Sequence, residues 1–420
     1  MSRTRAAALA ILAAGLLALA PSAARAREAT PAWRREVLRL LEARASAVLD
    51  RDREAFAETM AGARPGFRRA RLAWFDGMGE LPIDRYALAY TEDTYQDLAP
   101  LLERAPAGNE VHVVAVEEFI GFEGFDAEPF NDALYLTVVR RGGVWHVHDD
   151  AGLEDAGLLS ARSPWDFAPV AAHRRGPVLV LHHGEPSTAA RIARDTEAAI
   201  AHDARTWPFG WDRSIVVVIP SSVGELQRTF KTTQDLSPFV AFAASSVLLR
   251  DGSIELTASR VFLQPATFFG YQDSFRRDTL GHEMLHVASR NRMGPSTPAW
   301  LIEGVAQIYG EQGAQATATL AAFVRAGQAP GRLPRDEEFG RPPNERIHFS
   351  YQAAADFAAF VDERFGDGSS ARLLRALGRY RLTSPGTPGY HLDRASRRVL
   401  DRPFESVERA WVRVVEKRFG

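Results

Sequence analysis

The sequence carries two histidines four residues apart, with a glutamate directly after the first: His282-Glu283-Met284-Leu285-His286. On a helix that spacing puts both imidazoles on one face, where they can share a metal ion. Glu283 projects about 100° round the helix from His282, beside such an ion, where it can take a proton from a metal-bound water. Chance supplies about 0.02 copies of this pattern in a chain of this length and composition. Leu280, Met284 and Val287 recur as a buried helical stripe, and neither Pro nor Gly interrupts 282–290, so the segment is predicted to be helical.

Two histidines do not complete a site, and the residues after His286 narrow the class. A metzincin would carry Gly and a third His at 289 and 292; this chain has Ser289 and Arg292. Instead Glu303 follows His286 after sixteen intervening residues, in Thr297-Pro298-Ala299-Trp300-Leu301-Ile302-Glu303-Gly304-Val305-Ala306. Thr297 reads as the N-cap and Pro298 as the first helical residue, with Leu301, Val305 and Ile308 as the apolar stripe. Glu303 lies away from the centre of that stripe and is the third candidate ligand. Gly304 is expected to let this helix approach the histidine helix closely. Gln307, one turn on, is read either as a partner that orients a ligand histidine or as an ordinary surface glutamine.

His-Glu-x-x-His followed by Trp-Leu-x-Glu-Gly-x-Ala resembles the gluzincin zinc metallopeptidases and, among them, the peptidase MA-like proteins. The resemblance spans 178–420 and is sharpest at 281–290 and 300–306. It implies Zn2+ held by His282, His286 and Glu303 with water in a fourth position. It implies Glu283 as the general base, passing the water proton to the leaving amine of a peptide or protein substrate. It further implies an edge strand above the metal helix that pairs with extended substrate, for which Ser259–Leu263 is the candidate. An oxyanion donor completes such a site. Tyr351, opening a predicted helix Tyr351–Phe365 capped by Ser350, resembles the tyrosine of aminopeptidase-N-type enzymes. His348 is the competing donor, as in thermolysin-like enzymes. Tyr309 is expected to face away, and Tyr380 lies far along the chain. A reading from another class is a catalytically weak or inactive zincin serving as an extracytoplasmic binding or scaffold module. Retention of three ligands, Glu283 and a candidate tyrosine argues against it.

These residues need elements to hold them. Val37, Leu38, Leu41, Ala45, Val48 and Leu49 predict a first helix, with a second through Phe56–Met60. Strand-like runs follow at Tyr86–Tyr90, Val111–Val116, Leu134–Val139 and Val144–Val147, the last pair turned by Arg141-Gly142-Gly143. Helices followed by antiparallel strands over 30–166 predict an α+β unit that resembles the NTF2-like cone. Polar side chains lining that cone would favour ligand binding, and a filled apolar cone a spacer or inhibitory role. Ser163–Asp166 and His173–Pro177 read as the linker. Beyond it come strands Val178–Leu181 and Ile215–Ile219, helices Thr188–Thr206 and Val223–Phe230, and a strand pair Phe239–Leu249 and Ile254–Leu263 joined through Asp251-Gly252. After Gln264 the chain reads as helices. The expected fold is α+β: an NTF2-like cone, then a zincin-type catalytic domain with a small mixed sheet and zinc helix (178–290) and a helical subdomain (291–420).

Composition bounds the rest. With no cysteine, disulfides, thiolate metal sites and cysteine nucleophiles are excluded. A formal charge of −2 offers no basic excess for nucleic acid. The basic start at Arg3 and Arg5, the apolar run Ala6–Ala20 and Ala24-Arg25-Ala26 predict a signal peptide over 1–26, with Arg27 as mature N-terminus. The expected location is therefore secreted or extracytoplasmic, without stable membrane insertion after cleavage; an uncleaved N-terminal anchor is the alternative. The other histidine pairs get plain readings. His146 and His148 share a strand face without a third ligand, and His182 and His183 point to opposite faces. Oligomeric state is not legible.

Overall fold

A computed structural model describes residues 31–90, 97–103, 106, 110–250, 253–310, 313–339 and 346–419. The predicted signal segment and the Asp251-Gly252 turn lie outside them. The chain is a mixed α+β protein. Helices α1 (Ala32–Leu49), α2 (Arg53–Glu58) and α3 (Pro65–Gly77) precede strands β1 (Ile83–Tyr90), β2 (Glu110–Phe122), β3 (Phe130–Arg141) and β4 (Val144–Asp149). The strands form one antiparallel sheet in sequence order. Gly142 and Gly143 take φ of 57° and 84°, the left-handed pair that a tight hairpin between β3 and β4 requires.

Two features here escaped the sequence pattern. Helix α3 was not expected, because its buried positions Phe67, Trp74 and Phe75 are sparse and four of its thirteen residues are arginine or aspartate. Strand β2 runs past Val116 to Phe122, because the charged Glu117 and Glu118 interrupt the apolar pattern but not the strand. Glu118 is buried and accepts a hydrogen bond from Tyr86 at 2.7 Å.

A second sheet has the order β5-β6-β7-β9-β8, from β5 (Ala171–Arg175), β6 (Val178–His182), β7 (Ile215–Ile219), β8 (Ala241–Arg250) and β9 (Ser253–Leu263). Strands β6, β7 and β9 run parallel, while β5 and β8 are antiparallel to their neighbours. Residues 173–175, read as linker, belong instead to β5, paired with Val178–Val180 of β6. Their polar composition matches an edge strand exposed along its length. The runs Val178–His182 and Ile215–Ile219 are buried at every position because both faces of the sheet are covered. One face packs Val180, Val217 and Val261 against α4 (Pro186–Thr206) and α7 (Asp273–Ser289). The other packs Leu179, Val218 and Phe262 into a core continuous with the first sheet. Arg260 on β9 crosses that junction to a bidentate pair with Asp126, both side chains buried.

Helices α5 (Val223–Thr229) and α6 (Pro265–Gly270) follow β7 and β9 in the chain. The remainder is helical as expected: α8 (Ala299–Tyr309), α9 (Gly313–Arg325), α10 (Ile347–Phe365), α11 (Ser369–Leu377), α12 (Pro388–Leu400) and α13 (Phe404–Phe419). Among the described residues, no helix is long and apolar enough to cross a membrane.

Candidate metal centre

Helix α7 is buried on every side from Thr279 to Ser289. Leu280, Met284 and Val287 pack toward the sheet and α4, while Leu285 and Ala288 pack toward the helical core. His282, Glu283 and His286 are thereby held between two apolar masses, with their side chains enclosed by packing.

Helix α8 brings the third group. Its start differs from expectation by one residue: the helix begins at Ala299, and Thr297 caps nothing, accepting instead from the Gly294 amide. The Ala299 amide is satisfied by Asp336 Oδ1 at 2.8 Å, a partner 37 residues away that no local motif could announce. The crossing of α7 and α8 is permitted by two glycines. A Cβ on Gly281 would stand 2.9 Å from the Gly310 carbonyl, and one on Gly310 would stand 2.7 Å from the His282 amide. Gly304, expected to serve this contact, serves another. Its Cβ would lie 2.4 Å from the Ala354 carbonyl of α10, so it draws α10, and Tyr351 with it, against the site.

His282, His286 and Glu303 are buried, and one ligand atom from each lies within 4.8 Å of the other two, a group able to hold a metal ion. Nε2 of His282 stands 3.0 Å from Nε2 of His286, and these atoms stand 3.2 and 3.5 Å from Glu303 Oε2. Donors at about 2.0–2.1 Å from a tetrahedral ion sit about 3.3 Å from one another, so the spacing fits a shared ion. Glu303 Oε2 nevertheless accepts no aligned hydrogen bond from either ring. Burial alone would push Glu303 up; His286 and His282 outweigh it and hold the carboxylate down to about 2. Burial likewise lowers His282, while the Glu303 charge carries His286 above its ordinary value.

Around this group, buried polar atoms go without partners: both Glu283 carboxylate oxygens, His282 Nδ1 and the Tyr351 hydroxyl. Burial raises Glu283 to about 8, with Glu303 adding and His286 opposing. The Ala243 amide of β8 also opposes the shift, without closing a hydrogen bond. Burial, then Glu303 and Glu283, keep the Tyr351 hydroxyl protonated far above its usual range. Its ring centroid lies 6.5 Å from that of His282 and is braced edge-on by Phe339 at 5.3 Å.

The remaining candidates sort by position. Helix α10 starts at Ile347, so Ser350 is not its cap but an interior residue with a buried, unpartnered hydroxyl. His348 is half-buried, and burial lowers its pKa; it makes no ring contact with His282 or His286. Tyr309 faces away and bonds Asp362. Tyr380 stacks on His391. Gln307 is buried, yet His282 Nδ1 has no partner, so the expected orienting bond to that ring is not formed. Ser259–Leu263 is not an edge: β9 lies between β7 and β8, and β8 is the outer strand on that side of the sheet. His146, His148, His182 and His183 join no metal-binding group among the described residues. Comparison of the chain with family models, with curated proteins and with solved structures finds no match in any of the three.

Proposed function

We propose that this protein is a zinc-dependent metallopeptidase of the gluzincin type that hydrolyses peptide or protein substrates outside the cytoplasm, with an NTF2-like unit in front of its zincin-type domain. The observation that carries the proposal is the coincidence of three converging ligands with two buried, unpartnered reactive groups, Glu283 and Tyr351. Unsatisfied buried polar atoms are rare in folded proteins, and five in one place mark groups awaiting a ligand and a substrate. Two imidazoles and one carboxylate make a donor set suited to zinc with an open position.

When bound, the ion polarises the scissile carbonyl and acidifies a water toward neutrality. The chain supplies the proton traffic. Glu283, buried and without hydrogen bonds of its own, takes the water proton and delivers it to the departing amine. Tyr351 keeps its proton and offers a neutral donor to the carbonyl oxygen as negative charge develops there. The outer side of β8, with the Ala243 amide toward Glu283, is where an extended peptide would align.

Metal analysis of the purified protein tests the ligand set. About one zinc per chain is expected, lost in His282→Ala and Glu303→Ala. Full occupancy in Glu303→Ala removes that residue from the set. Glu283→Gln should keep zinc while peptide hydrolysis falls about 10²–10⁴-fold; undiminished hydrolysis overturns the mechanism.

A further inference from the structure

One turn beyond His286, at the C-terminal end of α7, stands Arg290. Its guanidinium is half-buried and donates to Ser259 Oγ at 2.7 Å, and Ser259 Oγ in turn lies 2.6 Å from Ser245 Oγ on the outer strand β8. Among the described residues no carboxylate comes within ion-pair distance of it. Asp212 and Asp126 act on Arg290 only through the longer-range field, and Asp126 is already held in a bidentate pair by Arg260. Helix-end carbonyls supply at most about half a compensating charge. A planar fork of donors, desolvated and lacking its acid, is matched best by a carboxylate that accepts two parallel bonds.

Its position says where that carboxylate belongs. Ser245 is two residues along β8 from Ala243, whose amide faces Glu283. Ala243 and Ser245 point to the same face of the sheet, and extended chain advances about 3.3 Å per residue. A peptide aligned on β8 therefore carries its second residue from the scissile bond past the guanidinium.

We propose that Arg290 is a specificity-determining residue that selects substrates bearing a carboxylate two residues from the bond cleaved, the carboxylate being an acidic side chain or the free C-terminus. The inference rests on the peptidase reading above. Ser259 and Ser245 orient the fork, and the substrate supplies the counter-charge the fold withholds.

Peptide sets that differ only as Glu or Gln at each position, and as free or amidated C-terminus, test this with the zinc-loaded enzyme. Wild type should favour the carboxylate at that one position by about 10–100-fold in kcat/KM. The Glu/Gln arm and the C-terminal arm separate the two sources. Arg290→Gln should erase the preference while leaving turnover of neutral peptides within a few-fold. Arg290→Lys, which keeps charge but loses the fork, should retain part of it. Cleavage by wild type with no carboxylate preference overturns the inference alone. Failure to cleave any peptide overturns the peptidase reading and the inference with it. Equal loss on neutral and acidic peptides in both variants makes Arg290 structural and also overturns it.

Discussion

Between α1, α3 and the first sheet, Arg44, Tyr86 and Glu118 are buried and Arg71 is partly buried beside them, with partners in reach. Arg44 donates to Thr59 at 2.8 Å, Tyr86 donates to Glu118, and Arg71 pairs with Asp166 and, at 3.6 Å, with Asp150. The void they leave is about 10 Å3, room for roughly one water. At α7 an equally buried polar group has almost no internal satisfaction: Glu283, Tyr351 and one ring nitrogen of His282 are unpartnered. Polarity of a buried cluster therefore does not by itself set α7 apart; the concentration of unpartnered groups there does. The interior of the first unit is mostly apolar, and the polar cluster within it is filled, which removes the room for a ligand. Its ion pairs close largely on themselves, Arg71 Nε being the one atom of that cluster left without a hydrogen-bond partner among the described residues.

If incompleteness marks function, changes at α7 should reach turnover and changes in the first unit should not. After the loss expected for Glu283→Gln, the largest effect in this comparison is at Tyr351. Tyr351→Phe removes only the hydroxyl, and turnover should fall about 10²–10³-fold with zinc content and KM nearly unchanged. Near-wild-type turnover there, with collapse in His348→Ala, transfers the donor role to His348.

Gly304→Ala probes how tightly α10 must sit. Its Cβ would meet the Ala354 carbonyl at 2.4 Å, backbone that cannot swing aside. Destabilisation of about 1–3 kcal/mol is expected in thermal unfolding. A drop in turnover with retained zinc should accompany it as Tyr351 is displaced. Unchanged stability would mean that the two helices are not fixed by this contact.

The smallest effect belongs to the first unit and is one of pH. Burial raises Glu118 to about 7, while the Tyr86 hydrogen bond, Arg71 and Arg44 oppose the rise. Unfolded, the group titrates near about 4.3. The folded state thus holds the extra proton between these values, and its stabilising share is full below about 4.3 and lost as pH climbs through about 7. Glu118→Gln should flatten unfolding stability between pH 5 and 8 without altering turnover of the folded protein. A changed kcat in that variant would break the separation between the two clusters.

The sequence by itself determined the local matters. Helical spacing put His282 and His286 on one face, because four residues are nearly one turn. Apolar runs located β6 and β7, because strands buried on both faces need no alternation. The hairpin at Gly142-Gly143 followed from the left-handed conformation that only such residues accept readily. What required the tertiary structure was every distance between segments. Glu303 meets the histidines because Gly281 and Gly310 let two backbones touch, and Tyr351 meets them because Gly304 admits α10. The α8 start is set by Asp336, and β8 rather than β9 is the outer strand because β9 inserts beside β7. Periodicity reports which face of an element is apolar. Which partner that face finds is decided by packing among residues far apart in the chain, and no local pattern encodes it.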